Sequence, residues 1–234
     1  MTSVDSPVAI VTGASRGIGR AIARALADRG YWVVMVARSE KLLAELGDEL
    51  QRRGLHALPI AADITEDGSI DRIVTATVDW AGRIDVLVNN AGMGIFKHAV
   101  DLSIDEFDAM WRLNVRAPVL LTQRVLPHMI AAEHGAIVNI ASLAGKNSFI
   151  GGTGYAATKW ALRGWANSLM LEVRNHNIRV ITICPGSVDT DFSQHNKRGS
   201  NITQPEDVAA AVVFALSAPE RTMMSEIDIR PTRP

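Results

Sequence analysis

Tyr155 and Lys159 stand four residues apart where a helical pattern begins, and Ser142 closes an apolar run upstream. On a helix, residues at that spacing share one face, about 5–6 Å apart at Cβ. A Lys ammonium beside a Tyr hydroxyl favours the phenolate, which otherwise forms only near pH ~10. Such a pair can give and take a proton near neutral pH. Ser142 can then supply a hydroxyl that holds a substrate oxygen against Tyr155. The same residues would also suit an ordinary helix start with a surface Tyr and Lys. The rest of the chain has to decide between the two.

The elements that must position these groups alternate regularly. Apolar, β-branched runs at 8–15, 31–38, 56–64, 84–92, 135–142 and 177–187 read as buried parallel strands, with a last short strand at 225–230. Amphipathic patterns at 17–29, 39–53, near 66–81, about 103–132, 153–174 and 205–217 read as helices. Gly30, Gly54 and Gly82 end the first three of them. Residues 187–204 are polar and irregular. Strict β–α alternation predicts a single α/β domain over 1–234, a doubly wound parallel sheet of about seven strands with helices on both faces.

The turn after the first strand, Thr12-Gly13-Ala14-Ser15-Arg16-Gly17-Ile18-Gly19, spaces its glycines as GxxxGxG rather than GxGxxG. Its position, closing a strand and opening a helix, suits a pyrophosphate, which takes backbone N–H groups and positive potential from a helix N-terminus. An NAD site usually places a carboxylate at the end of the second strand. Here that strand ends Val36-Ala37-Arg38-Ser39, with no carboxylate before Glu40. Arg38 and Arg16 would suit a 2′-phosphate, since guanidinium binds phosphate bidentately, so NADP(H) is expected over NAD(H). Arg38 as a solvated helix-start residue is the competing reading. Asp63, before Ile64 at the end of the third strand, has two open roles: accepting from an adenine amino group, or capping the next helix.

The long helix at 103–132 carries a fault. Asn114 falls on the apolar stripe with Phe107, Met110, Trp111 and Val115, and a buried amide needs partners. Pro118, four residues on, has no N–H for the Asn114 carbonyl, so a kink and a carbonyl free to hold a water are expected there.

Composition narrows the rest. The 234 residues are 47% hydrophobic and 21% charged with net charge −1, which suits a soluble globular protein. Scattered charges argue against a nucleic-acid footprint or a polybasic membrane patch. No apolar run nears the roughly 18 residues of a membrane span. No signal peptide is read at the N-terminus. The lone Cys184 lies in an apolar run, the sequon at Asn201 carries little weight, and a cytoplasmic location is the expectation. The six His show no metal-ligand spacing.

TGASRGIG (12–19), NNAG (89–92), Asn114, Ser142, YAATK (155–159) and PGSVDT (185–190) together resemble the short-chain dehydrogenase/reductase family, in order and over nearly the whole chain. The resemblance implies a Rossmann-type fold and a catalytic tetrad of Asn114, Ser142, Tyr155 and Lys159. Tyr155 would protonate a carbonyl oxygen that Ser142 orients, as hydride leaves the nicotinamide. Lys159 would hold the nicotinamide ribose and lower the Tyr155 pKa, and the Asn114 carbonyl would hold a relay water. Asn90, Ala91 and Gly92 would line the adenine-side ribose and the sheet edge. Pro185, Gly186, Val188 and Thr190 would flank the nicotinamide. The partners implied are a small carbonyl or alcohol substrate and a second copy of the chain, as a dimer or tetramer. The chain departs from many relatives by ending Asp228–Pro234 without a Gly-Gly segment, which leaves the tetramer less secure than the dimer.

An NADPH-dependent carbonyl reductase, reversible as a secondary-alcohol dehydrogenase, is the leading expectation. A 3-oxoacyl-[acyl-carrier-protein] reductase shares the chemistry. An acidic carrier favours exposed cations at the site mouth, and Pro127–Gly135 offers none, although Lys197 and Arg198 do. A non-catalytic NADP(H) sensor or scaffold would be expected to lose Tyr155 or Lys159. An epimerase would need an added substrate domain. Met93, Ile95, Phe96, Phe149, Ile150 and Phe192 predict an apolar substrate pocket, with His98, His195 and Lys146 as polar readers or solvated surface.

Overall fold

Strands β1 (Val8–Thr12), β2 (Trp32–Ala37), β3 (Ala57–Ala61), β4 (Val86–Asn89), β5 (Gly135–Ile140), β6 (Ile178–Pro185) and β7 (Glu226–Ile229) form one sheet. Its order is β3-β2-β1-β4-β5-β6-β7, and every pairing is parallel. The computed structural model describes residues 4–192 and 202–232. The expected fold class is therefore the observed one, although each strand is shorter than its apolar run. Residues 13–15, 62–64 and 90–92, read as strand ends, lie instead in the loops beyond β1, β3 and β4. Glycine and the small polar residues there release the chain from the ladder, and the loops this frees form the ligand edge of such sheets.

The helices are α1 (Gly17–Ala27), α2 (Glu40–Arg52), α3 (Asp67–Ala81), α4 (Ile104–Trp111), α5 (Ala117–Ala131), α6 (Thr153–Val173) and α7 (Pro205–Leu216). Successive strand residues alternate faces, so both faces need cover. Val11, Val33, Met35 and Ile183 pack with α1, α2 and α7 through Ile22, Leu46 and Val212. Ile10, Val34, Leu87 and Val180 face the other way, against α3, α5 and α6 through Ile73, Leu121 and Leu169. That alternation turns uniformly apolar strands into a two-sided core.

The expected helix over 103–132 is divided. A π turn, Arg112–Arg116, joins α4 to α5, and the Ala117 N–H reaches back to the Arg112 carbonyl. The π turn contains Asn114, where the sequence predicts the kink, and Pro118 sits at the second position of α5. A proline at the start of a helical segment costs no hydrogen bond that the π turn has not already displaced.

The switch point of the sheet lies between β1 and β4. At its far end the buried Asp85 carboxylate accepts the Val8 N–H at 2.7 Å and is clasped by Arg83. Asp85 also bonds the chain on both sides: its N–H goes to the Val8 carbonyl, and its own carbonyl takes the Ala136 N–H. These bonds fix the β1–β4 register from which both site loops emerge. Asp85→Ala strands a buried N–H and leaves Arg83 unpaired, and should cost about 1–3 kcal/mol. The check is a lower urea midpoint at unchanged slope, with Asp85→Asn, which keeps an acceptor, recovering part of the loss.

Candidate active site

At the other end of β1 the chain turns through Gly13 and Gly17, both left-handed at φ 68° and 53°. A side chain is unwelcome at Gly13 for a second reason, because its Cβ would lie 2.8 Å from the Asn90 Nδ2. Gly19, in the first turn of α1, has less room still: a Cβ there would come within 2.3 Å of the Gly13 carbonyl oxygen. The glycines let α1 press onto the turn, leaving the α1 N-terminus open to a ligand. Ser15, Arg16 and Ile18 line the cleft beside it. Arg16 precedes α1 without capping it.

Thr12, which sequence reasoning did not single out, joins this turn to the next loop. Its Oγ1 donates to the Val88 carbonyl at 3.1 Å and accepts the N–H groups of Asn90 and Ala91 at 3.0 and 3.1 Å. Asn90 answers with its amide, donating to the Thr12 carbonyl at 2.8 Å. A Thr ending a buried strand just before a glycine turn was the available signal. Asn90, Ala91 and Gly92 consequently line the cleft next to the glycine turn.

Arg38 lies at the end of β2 with its side chain 78% exposed, 4.0 Å from the Asp63 carboxylate. Of the two roles open to Asp63, helix capping is the one the structure removes. The carboxylate accepts the N–H and hydroxyl of Thr65 at 2.9 and 2.7 Å, while α3 starts only at Asp67 behind Glu66. Burial alone would raise the Asp63 carboxyl, but the two Thr65 bonds and Arg38 hold it below the usual carboxylate value. Asp63 and Ile64 line the cleft with Arg38.

The third group meets where β5 ends and α6 begins. Ser142 follows β5, and its Oγ accepts the Ala144 N–H at 3.1 Å and donates toward the Pro185 carbonyl at 3.4 Å, on the same cleft wall as Tyr155. The turn after Ser142 is fastened to β7: Lys146 pairs with Glu226 and Asp228, and Arg163 bonds Glu226 and the Gly145 carbonyl. Lys159 donates to the Ile140 carbonyl at 2.9 Å, with its Nζ 5.7 Å from the Tyr155 ring centre. Asn114 is fully buried and lies behind the cleft wall rather than in it. Its amide brackets Met93, accepting the N–H at 2.9 Å and donating to the carbonyl at 2.8 Å, and also donates to Thr158 Oγ1 at 3.0 Å. Thr158 in turn donates to the Tyr155 carbonyl. Three residues after Tyr155 on the inward face, Thr158 is a second positioning group that sequence reasoning missed.

Burial sets the electrostatics. Desolvation pushes the Tyr155 phenol up to about 12, with the Ser142 hydroxyl opposing it, and pushes Lys159 down to about 8. This reverses the direction expected for the Tyr–Lys pair taken alone. The physical reason is that both groups are out of water, and the ammonium is turned onto a backbone carbonyl.

Pro185, Gly186, Val188 and Thr190 close the cleft opposite α6. A Cβ at Gly17 would meet the Thr190 methyl at 3.2 Å, so Thr190 reaches across to the phosphate turn. Val188 bridges to Thr203, and the Asp189 N–H goes to the Thr203 carbonyl. At the substrate end Met93, Phe96, Phe149 and Phe192 line the cleft as expected, whereas Ile95 does not and Ile150 points to solvent, 87% exposed. Lys146 and His98 do not line it either. His195, Lys197 and Arg198 lie outside the described residues, as does Asn201. Among the described residues no cluster of potential metal ligands occurs, and no helix is long and apolar enough to cross a membrane.

These walls enclose one cleft of about 1340 Å³. Ordinary ligand sites span roughly 300–1,000 Å³, so a dinucleotide and a second small molecule fit together. The tight turn that the glycines permit and the open α1 N-terminus suit a pyrophosphate, so these residues fit a dinucleotide.

Comparison with known proteins agrees. An uncharacterized oxidoreductase of Staphylococcus epidermidis is 34% identical over 232 residues, covering 99% of this chain and all of that protein. A metagenomic short-chain oxidoreductase in complex with NADP superposes with TM-score 0.87 at 39% identity, covering 99% of both chains. An alcohol dehydrogenase of the archaeon Thermococcus sibiricus complexed with 5-hydroxy-NADP gives 0.92 at 32%, covering 98% of this chain and 99% of that one. The family profile described as short chain dehydrogenase matches residues 7–201. With the fold, the cleft and these matches in agreement, the chain belongs to the short-chain dehydrogenase family and is an oxidoreductase.

Proposed function

We propose that the protein uses NADPH to reduce a ketone or aldehyde to an alcohol, and runs in reverse as a secondary-alcohol dehydrogenase. The observation that carries this reading is the meeting of Tyr155, Ser142 and Lys159 at one end of a cleft whose other end is a phosphate-ready turn. A bound nicotinamide supplies the hydride. Tyr155, held protonated by burial, donates to the substrate oxygen. Ser142 and Tyr155 line the same part of the cleft, so one substrate oxygen placed between the two hydroxyls is held at the proton donor. Lys159 spends one of its three N–H groups on Ile140 and has two for ribose hydroxyls. Asn114 holds the Met93 backbone and, through Thr158, the first turns of α6, which fixes Tyr155 against the opposite wall.

Arg16 and Arg38 support the preference for NADP(H). Both are exposed at the cleft, and the pairing of Arg38 with Asp63 is long at 4.0 Å, so its guanidinium is available to a phosphate. The natural setting proposed is a homo-oligomer in the cytoplasm acting on a small carbonyl compound.

The primary test is NADPH oxidation on a panel of ketones, aldehydes and acyl thioesters, wild type beside Tyr155→Phe. Loss of the proton donor should lower kcat roughly 10²–10⁴-fold while NADPH still binds; a variant that keeps most of its rate would move the acid elsewhere. Arg38→Ala should weaken NADPH binding roughly ten- to hundredfold, the value of one charge-assisted contact, and leave NADH nearly unchanged. Tighter binding of NADH than NADPH by the wild type would sink the cofactor assignment.

Lys159 makes the ligand-free protein's stability depend on pH. Its folded value of about 8 lies below its unfolded value of 10.5, so between them the unfolded chain holds a proton the folded one has released. Its contribution therefore becomes more favourable as pH rises through that window, by at most about 1.4 kcal/mol per pH unit. Lys159→Met should lack this rise, which paired urea titrations at pH 7.5 and 9.5 would show.

A further inference from the structure

Three phenylalanine rings gather on the open side of Tyr155. Phe96 meets the Tyr155 ring edge-on at 5.3 Å and Phe192 tilts against it at 5.7 Å. Phe149 stands beside Phe96 at 5.9 Å, and Phe96 and Phe192 meet edge-on at 6.4 Å. The group is not an ordinary piece of core, because Phe96, Phe149 and Phe192 remain 45%, 44% and 41% exposed while lining the cleft.

What holds the rings there is the absence of side chains beneath them. A Cβ at Gly94 would lie 2.8 Å from the Phe96 Cζ and 3.0 Å from the Phe192 Cε1. A Cβ at Gly152 would lie 2.4 Å from the Phe149 Cζ. Neither glycine has a backbone reason to be glycine: Gly152 sits at φ −99°, and Gly94 is not among the left-handed positions. The atoms a side chain would strike are the far ends of rings, so a methyl at either place displaces a ring rather than the backbone.

We infer that Gly94 and Gly152 determine substrate specificity, seating Phe96, Phe192 and Phe149 around Tyr155 so that the cleft takes a carbonyl compound bearing a flat, uncharged aromatic group. The inference rests on the reductase reading above. Aromatic rings pack edge-to-face or offset at centroid distances of about 4.5–7 Å, the range this group already shows. A hydroxyl or carboxylate brought among these rings would lose water and gain no partner from them. Arg112 and Arg230 also line the cleft, and recognition of a carboxylate by either is the opposing outcome.

The test compares kcat/KM with NADPH for benzaldehyde, glyceraldehyde and glyoxylate, in wild type, Gly94→Ala, Gly152→Ala, Phe96→Leu and Gly164→Ala. Wild type should favour benzaldehyde. The benzaldehyde-to-glyceraldehyde ratio should fall roughly tenfold in the first two variants, the size of one lost apolar contact. Phe96→Leu, which removes the ring without adding a Cβ, should lower it too. The ratio should hold in Gly164→Ala, where a Cβ meets nothing within 4 Å. A wild-type preference for glyceraldehyde or glyoxylate, or a ratio unmoved in all three site variants, overturns the inference and leaves the reductase reading standing. Absence of Tyr155-dependent turnover on every probe removes both.

Discussion

The Thr12 hydroxyl is the joint on which the site depends. It lies where β1 and β4 part at the switch point, and it bonds the last carbonyl region of β4 and the first two N–H groups of the following loop. With the return bond from Asn90 to the Thr12 carbonyl, the glycine turn and the Asn90–Gly92 loop become one rigid unit. A hydroxyl suits the position because one oxygen both donates and accepts.

On the proton side, polar groups are held by layers that never reach the cleft. Asn114 satisfies its amide on Met93 and Thr158, and Thr158 passes the constraint to the Tyr155 backbone. The π turn around Asn114 is the local irregularity that brings an amide from a helix face to a neighbouring loop. Ser142 is braced from the opposite direction, because the turn after it is fastened to β7 by Lys146, Arg163 and the acids Glu226 and Asp228. The last strand, though short and at the sheet edge, thus takes part in fixing the turn that carries the Ser142 hydroxyl.

Burial gives Tyr155 and Lys159 their character. A fully exposed pair would titrate near ordinary values; here desolvation favours the neutral form of each, which leaves a protonated phenol and a lysine easier to discharge. The rings of Phe96 and Phe192 carry the apolar surface outward from the phenol into the open cleft.

The sequence by itself determined the fold class, the order of the elements and most of the cleft, because strand and helix periodicity and ordered glycine turns are local properties of the chain. Gly13, Arg38, Ser142 and Tyr155 were legible in this way, Pro185 only through the family resemblance, and all line the same cleft. Strand ends were overread, since an apolar run does not show where a ladder stops. Only the tertiary structure decided that Asp63 folds onto Thr65 rather than capping α3, that Asn114 stands behind the wall, and that Ile150 faces solvent while Phe149 faces in. It also decided the direction in which Tyr155 titrates, because desolvation depends on atoms supplied by distant parts of the chain. The seating of rings on Gly94 and Gly152 belongs to the same class: contact between Gly94 and Phe192 spans nearly a hundred residues, and no local pattern encodes it.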